Sequence, residues 1–451
     1  MKSVLDPFAH LRRHLSGSRA VLIATCTRLW QLVAGLVSVA IITQFFSLQT
    51  QDIYYVFADL LALQTLFDLG LTGVLLSLAS REWPTATESE PSDATSLAKR
   101  RLGSLIRDGT RWFVVMSVLF AIGASTFGLW YLQGPETDTM QWRAPWIASV
   151  VLTAAAMIMM PCIGVLEGKY VVPINIFRLT QAIIGNLVVW LVITQGGSLW
   201  AVAASAAVRL LCESFFVFGR FRKQLFDLIR QEPLPANDAL DWRSAVRPLQ
   251  WRIGLQAIVA YLATRTYTLI VLDAQSTGAA GRIGLTWAIL IAIQASGLAW
   301  LQARLPQIGR HVQESDFTEA RRLVRQTSYL AVATIILGSI ALVVLHLGLT
   351  RYYPATADRL LPLPPILLFS VSLAIYAVII IWSTYTRLFR IDPFVRPGLI
   401  GSTVLATAAI VLGVRYGAMG IAVAHLGTMT LVNLPLLIPV IRRELAVVEK
   451  P

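Results

Sequence analysis

Five arginines lie inside apolar stretches long enough to cross a bilayer: Arg28, Arg178, Arg209, Arg265 and Arg282. Charge at bilayer depth costs about 2.5–3.5 kcal/mol per residue on insertion scales, so such a residue faces a partner or a watery cavity. Arg28 is the sharpest case, set within Ala24-Thr25-Cys26-Thr27-Arg28-Leu29-Trp30-Gln31 and well short of either polar flank. Ala24, Arg28, Gln31, Gly35 and Ser38 recur at helical spacing and share one face. A small, polar stripe on an otherwise apolar helix points at protein or water rather than lipid. Two readings are open. The stripe pairs with another helix, with Arg28 neutralised by a neighbour such as Asp68, or it faces an anion passing between helices.

The other arginines differ in their surroundings. Arg265, with Tyr261 and Thr268 on its face, has no acid within its own helix and is the second-half counterpart of Arg28. Arg209 and Glu213 stand one turn apart and can satisfy each other. Arg178 is near enough to the end of its span to snorkel, and Arg282 lies about as close to the opposite end of its own. Gln64 and Asp68 are four apart and share a face, from which Asp59 points away. Asp59 and Asp68 are the candidate proton or cation sites, although buried acids more often serve as structural counter-ions. The candidate substrate-facing set is therefore Arg28, Gln31, Gln64, Asp68, Gln256 and Arg265.

The elements that must position these groups are membrane spans. The chain is 56% hydrophobic and 14% charged, where a soluble domain carries nearer a quarter charged residues. With about 20 residues needed per crossing, twelve spans are expected. They lie near 19–44, 52–80, 112–134, 144–166, 170–194, 198–219, 249–273, 278–303, 327–350, 362–386, 396–414 and 416–440. Pro161 and Pro173 are expected to bend spans four and five. The expected architecture is all-α and polytopic: a six-helix lobe over 1–219, a cytoplasmic connector over 220–248, and a second six-helix lobe over 249–451.

The lobes read as parallel repeats. Gln31 and Gln256 occupy similar places in the opening spans, Gly70 matches Gly297, and Arg100-Arg101 matches Arg321-Arg322. Of the 38 Lys and Arg, 29 fall on one set of alternating loops and the termini, and only Arg143, Arg351, Arg359 and Arg415 on the opposite set. By the positive-inside rule both termini are cytoplasmic. That placement accounts for the net charge of +13 without nucleic acid as a partner.

Cys26, Cys162 and Cys212 sit in apolar segments without paired spacing and read as small core residues, not as a disulfide or metal site. No phosphate-binding Gly-rich loop, Ser/His/Asp set or HExxH is present. The chain is expected to work without cofactor or metal and not to be an enzyme. All the loops opposite the basic side are short, which disfavours a polymerase at that face.

The stretch from Tyr54 through Leu71, running on to Ser80-Arg81-Glu82, resembles the signature of oligosaccharide flippases used in O-antigen and related polysaccharide export. The span-one stretch through Gln31 and Gly35, and Ala299-Trp300 to Pro306-Gln307-Ile308-Gly309, are similar to that family too. Asp59 departs from a small or hydroxyl residue and Asp68 from the usual glutamate.

The resemblance places the chain in the multidrug/oligosaccharidyl-lipid/polysaccharide exporter superfamily. It implies two lobes that rock between inward- and outward-open states in a bacterial inner membrane. The cargo is an undecaprenyl-diphosphate-linked sugar unit for O-antigen, capsule or exopolysaccharide synthesis, with Arg28 and Arg265 meeting the diphosphate. Membrane lipids, and a polysaccharide polymerase and chain-length machinery, are the implied partners. Guanidinium binds phosphate in a bidentate manner. A potential negative inside drives anions outward at about 2.3 kcal/mol per charge per 100 mV. The alternative is a cation-coupled multidrug exporter of the same fold, whose cavity would be dominated by acids; a scaffold for polysaccharide assembly is a third class.

Overall fold

In hydrocarbon every backbone polar group must be satisfied within its own segment, so a chain with these apolar runs forms helices. A computed structural model of the protein describes residues 23, 26, 27, 30, 31, 33–87, 92–133, 140–232, 247–274, 277–389 and 394–448. Every regular element among them is helical. Among the described residues, eight helices are long and apolar enough to cross a membrane, or ten if each of two bent pairs counts as one span, and a shorter apolar helix, α1, covers Val33–Phe45. The last of the eight, Val395–Arg443, is 49 residues long, more than twice a crossing. It divides at Gly417, whose φ of 60° no helix interior uses. The protein is a polytopic membrane protein.

The chain forms two compact units, one of Met1–Thr27 with Leu60–Ile258 and one of Arg28–Asp59 with Val259–Pro451. Unit 1 contains α3 (Gln64–Asp68), α4 (Leu71–Ala86), α5 (Asp93–Tyr131), α6 (Arg143–Met157), α7 (Met160–Glu167), α8 (Val171–Thr194), α9 (Trp200–Ser214) and α10 (Arg222–Ile229). Leu69 and Gly70, with φ of 46° and 73°, separate α3 from α4. Helix α5 packs on α4, α6, α7 and α10, and α9 on α6 and α8. Gly128 of α5 leaves room for the buried Trp146 indole of α6, which would overlap any Cβ there.

Span four bends by 43° between α6 and α7, just before Pro161. Pro173 does not bend span five: it lies in the first turn of α8, where its missing N–H breaks no helical bond. The third span begins at Asp93, far earlier than its apolar run, because Ser92 accepts a hydrogen bond from the Thr95 amide at 3.1 Å and starts the helix in the basic loop. The arginines of that extension tie down the connector. Arg107 donates to the carbonyls of Ile229 and Gln231 at 2.8 and 3.1 Å, and Arg100 to that of Glu232 at 3.1 Å.

Unit 2 holds α1 and most of α2 (Leu48–Leu61), the C-terminal part of α11 (Arg247–Thr264), α12 (Tyr267–Ala274), α13 (Ala279–Gln313), α14 (Phe317–Tyr352), α15 (Pro354–Ala357), α16 (Leu363–Arg387), α17 (Val395–Thr428) and α18 (Leu434–Val448). Asp316 caps α14 through the Glu319 amide, at nearly the separation from Ser92 that relates the arginine pairs, so the third span of each half starts alike. Gly297 differs from Gly70. It is helical within α13, where a Cβ would stand 2.8 Å from the Ala331 carbonyl oxygen, and it serves close packing on α14.

Small residues also let α2 approach α13: a Cβ on Gly281 would stand 2.9 Å from Gln51 Cγ. At that contact buried Asp52 accepts hydrogen bonds from the Gly278 and Gly281 amides at 2.6 and 2.5 Å, capping α13 from another helix. We expect Asp52→Ala to lower stability by about 1–3 kcal/mol, read as a lower unfolding midpoint of the detergent-solubilised protein. An unaltered midpoint would contradict the capping role.

Candidate functional site

The sequence-expected site residues divide between the two units, and each unit carries its own polar cluster. In unit 1 the cluster centres on Arg209 of α9. Its Nε donates to Glu213 Oε1 at 2.9 Å, the pairing expected from their one-turn spacing. Its second arm reaches the side-chain oxygen of Gln64 in α3 at 2.7 Å. The Gln181 amide of α8 donates to the Arg209 carbonyl at 3.5 Å. Three helices meet at Arg209, α3 and α9 through its guanidinium and α8 through its carbonyl. Glu213 is 8% exposed, so its charge depends on this arginine.

Asp68, on the face it shares with Gln64, is a structural cap. Its Oδ1 accepts from the Thr72 amide at 3.0 Å and the Thr72 hydroxyl at 2.8 Å, holding the first turn of α4 beyond the left-handed break. Gln256 lies half-buried in α11. Arg178 does more than snorkel: it pairs in a bidentate manner with Glu167 at the end of α7, at 2.8 and 2.7 Å.

In unit 2 the cluster is built at a break. Span seven stops being helical at Arg265 and Thr266, between α11 and α12. Arg265 finds its acid outside its own helix, in Asp59 of α2, at 3.7 Å. That distance is a loose ion pair rather than a hydrogen bond. Asp59 takes its close hydrogen bond from the Thr268 hydroxyl at 2.7 Å, and the Tyr261 hydroxyl donates to the Asp59 carbonyl at 2.8 Å. The Arg265 side chain remains 55% exposed. Tyr261 and Thr268, which share a face with Arg265 by spacing, thus join it around Asp59, Thr268 at the carboxylate and Tyr261 at the backbone carbonyl.

Arg28 lies outside the described residues, as does Ala24. Of the rest of its stripe, Gln31 is exposed and Gly35 and Ser38 are half-buried, whereas the buried positions of α1 are Ala34 and Ile42. Cys162 and Cys212 are partly buried thiols; Cys26 is exposed, so it is not the small core residue expected. Among the described residues, no three His, Cys, Asp or Glu side chains converge on a common point.

A buried polar pair not expected from the sequence, Ser372 with His425, is hydrogen-bonded between hydroxyl and Nδ1. The rings of Tyr267, Trp287 and Phe369 surround that imidazole. A histidine within an apolar span was the available signal.

No protein family matches the chain by sequence, and no curated protein does. By fold the chain is similar to a solved flippase and to solved multidrug transporters. It is similar to the lipid II flippase MurJ in an inward closed conformation, with a TM-score of 0.65 and 12% identity over 95% of this chain and 90% of that one. An inward-facing multidrug resistance MATE family transporter of the MOP superfamily matches with a TM-score of 0.57 and 12% identity, covering 95% and 99%. A MATE transporter from Vibrio cholerae matches at 0.58 and 14% identity, covering 96% and 98%. These neighbours are transporters and not enzymes; at such identities the fold is what is shared.

The two clusters predict different energetics. Arg209→Ala strands a buried carboxylate and is expected to destabilise by about 3–5 kcal/mol. A double-mutant cycle of Asp59→Ala with Arg265→Ala is expected to give a coupling of about 1 kcal/mol or less, because the contact is a loose 3.7 Å ion pair whose guanidinium is half exposed. Chemical denaturation in micelles measures both, and a strongly coupled Asp59–Arg265 pair would make it a structural staple like Arg209–Glu213.

Proposed function

We propose that this chain is a flippase that carries a diphosphate-linked oligosaccharide on a polyprenyl chain from the cytoplasmic leaflet to the opposite one by alternating access. The reading rests first on the likeness to a lipid II flippase over nearly the whole chain. Arg265 supplies the chemistry. A guanidinium within a span, at a helix break, loosely paired and half exposed, can exchange Asp59 for an incoming phosphate at little cost. Arg28, Gln31, Gln64 and Gln256 complete the set we assign to the substrate path, and Asp68 supports it by fixing the break beside Gln64. The positive-inside distribution supports a cytoplasmic placement of both termini, in keeping with a bacterial inner membrane. The polymerase and chain-length machinery of O-antigen, capsule or exopolysaccharide synthesis are the natural partners of such a step.

A second reading, cation-coupled drug export, is favoured by the MATE likeness and by an intramembrane carboxylate, Asp59, within reach of a hydroxyl and a cation. Drug susceptibility of a deletion strain separates the two, since only an exporter of drugs would sensitise the cell.

We expect Arg265→Ala, and independently Arg28→Ala, to abolish transfer of a fluorescent lipid-linked oligosaccharide across reconstituted vesicles while membrane abundance and unfolding midpoint stay unchanged. Transfer at the wild-type rate in both variants would remove the arginines from the path.

A further inference from the structure

A second amphipathic site runs along the surface of unit 2, away from Arg265 in sequence and built from α14, α16 and α18. A cavity of about 520 Å³ is lined by Val378, Trp382, Leu437 and Ile441, with the side chains of Arg321 and Arg442 also lining it. A second, of about 570 Å³, lies between α14 and α16 and is lined almost wholly by apolar side chains, including Ile336, Val343, Leu367 and Ala374. Val378 borders both, so they form one furrow. Its rim is open, with Ile340, Leu367 and Val371 each about half exposed.

Three features define the occupant. Both arginines belong to the basic side of the chain, Arg321 in the first turns of α14 and Arg442 just past the middle of α18. Basic pockets between membrane helices on that side take phosphate-bearing headgroups, and two guanidiniums suit a phosphate better than a zwitterion. From Trp382 to Leu367 the furrow follows α16 for about 22 Å at 1.5 Å per residue. One leaflet supplies only about half of a 30 Å hydrocarbon core, so the occupant's tail passes mid-bilayer. Finally, a single crease between two helices receives one chain.

We propose that this furrow is a docking site for a polyprenyl phosphate, with the phosphate between Arg321 and Arg442 and the prenyl chain laid between α14 and α16. It rests on the flippase reading for its physiological purpose: it would hold the lipid carrier in the leaflet where loading occurs, apart from the transport residues.

The test measures equilibrium binding of undecaprenyl phosphate to the purified full-length protein in micelles by native mass spectrometry, with dioleoyl phosphatidylglycerol as competitor and farnesyl phosphate as the short-chain probe. We expect undecaprenyl phosphate to bind about tenfold or more tightly than either. The double variant Arg321→Gln/Arg442→Gln should lose most of that preference. Ala374→Phe, which fills the furrow and leaves the arginines in place, should weaken undecaprenyl phosphate while leaving farnesyl phosphate unchanged. Equal competition by phosphatidylglycerol would make the furrow an ordinary lipid seat and overturn the proposal, as would wild-type affinity in both variants. Because binding is read without transport, vesicle transfer that persists alongside absent binding would sink this inference alone. Loss of transfer activity in the wild type would instead sink the flippase reading.

Discussion

A carboxylate placed among lipid-facing helices must be given donors by the protein, because hydrocarbon offers none. The described acids within the spans obey this in different ways. Asp52 takes two backbone amides at the start of α13. Asp68 takes an amide and a hydroxyl at the start of α4, and Glu213 takes an arginine. Asp59 takes the Thr268 hydroxyl and a distant guanidinium. Three of the four act at a helix start or break, where backbone groups released from the helix also need partners. At these three points the irregular backbone and the charge have one cause: the break releases orphan backbone groups, and the acid answers them or is steadied by a residue beside them.

This explains how much of the protein was legible in its sequence. Apolar length marked the spans well, because hydrocarbon thickness imposes it directly. It misplaced the starts of the third and ninth spans, since Ser92 and Asp316 launch those helices inside polar loops that hydropathy scores as connector. The Arg209–Glu213 pair was visible because it is local, one turn along a helix. The Arg265–Asp59 pair was not, because its members lie far apart in the chain and spacing within a helix carries no information about which helices meet. The same limit hid the third partner of Arg209: Gln64 stood out as polar, but nothing in its neighbourhood named α9. Pro173 was misjudged for a different reason. A proline bends a helix only when turns precede it, and α8 begins two residues earlier.

The contrast between the two arginines bears on function more than their shared presence in the membrane does. Arg209 is committed: its contacts at 2.7 and 2.9 Å use two directions of the guanidinium fork, and one partner is buried. Drawing it toward a passing phosphate would strand Glu213, a penalty of several kcal/mol that would oppose binding. Arg265 stands 3.7 Å from a carboxylate that already has a close donor in Thr268. If Arg265 turns away, Asp59 keeps that hydrogen bond, so the exchange of partners costs little and reverses readily. A carrier needs such a residue, since a site that binds its cargo too well cannot release it on the other side. Under the proposed flippase reading, the loose geometry at the span-seven break, more than the charge itself, would suit Arg265 to meet a travelling anion.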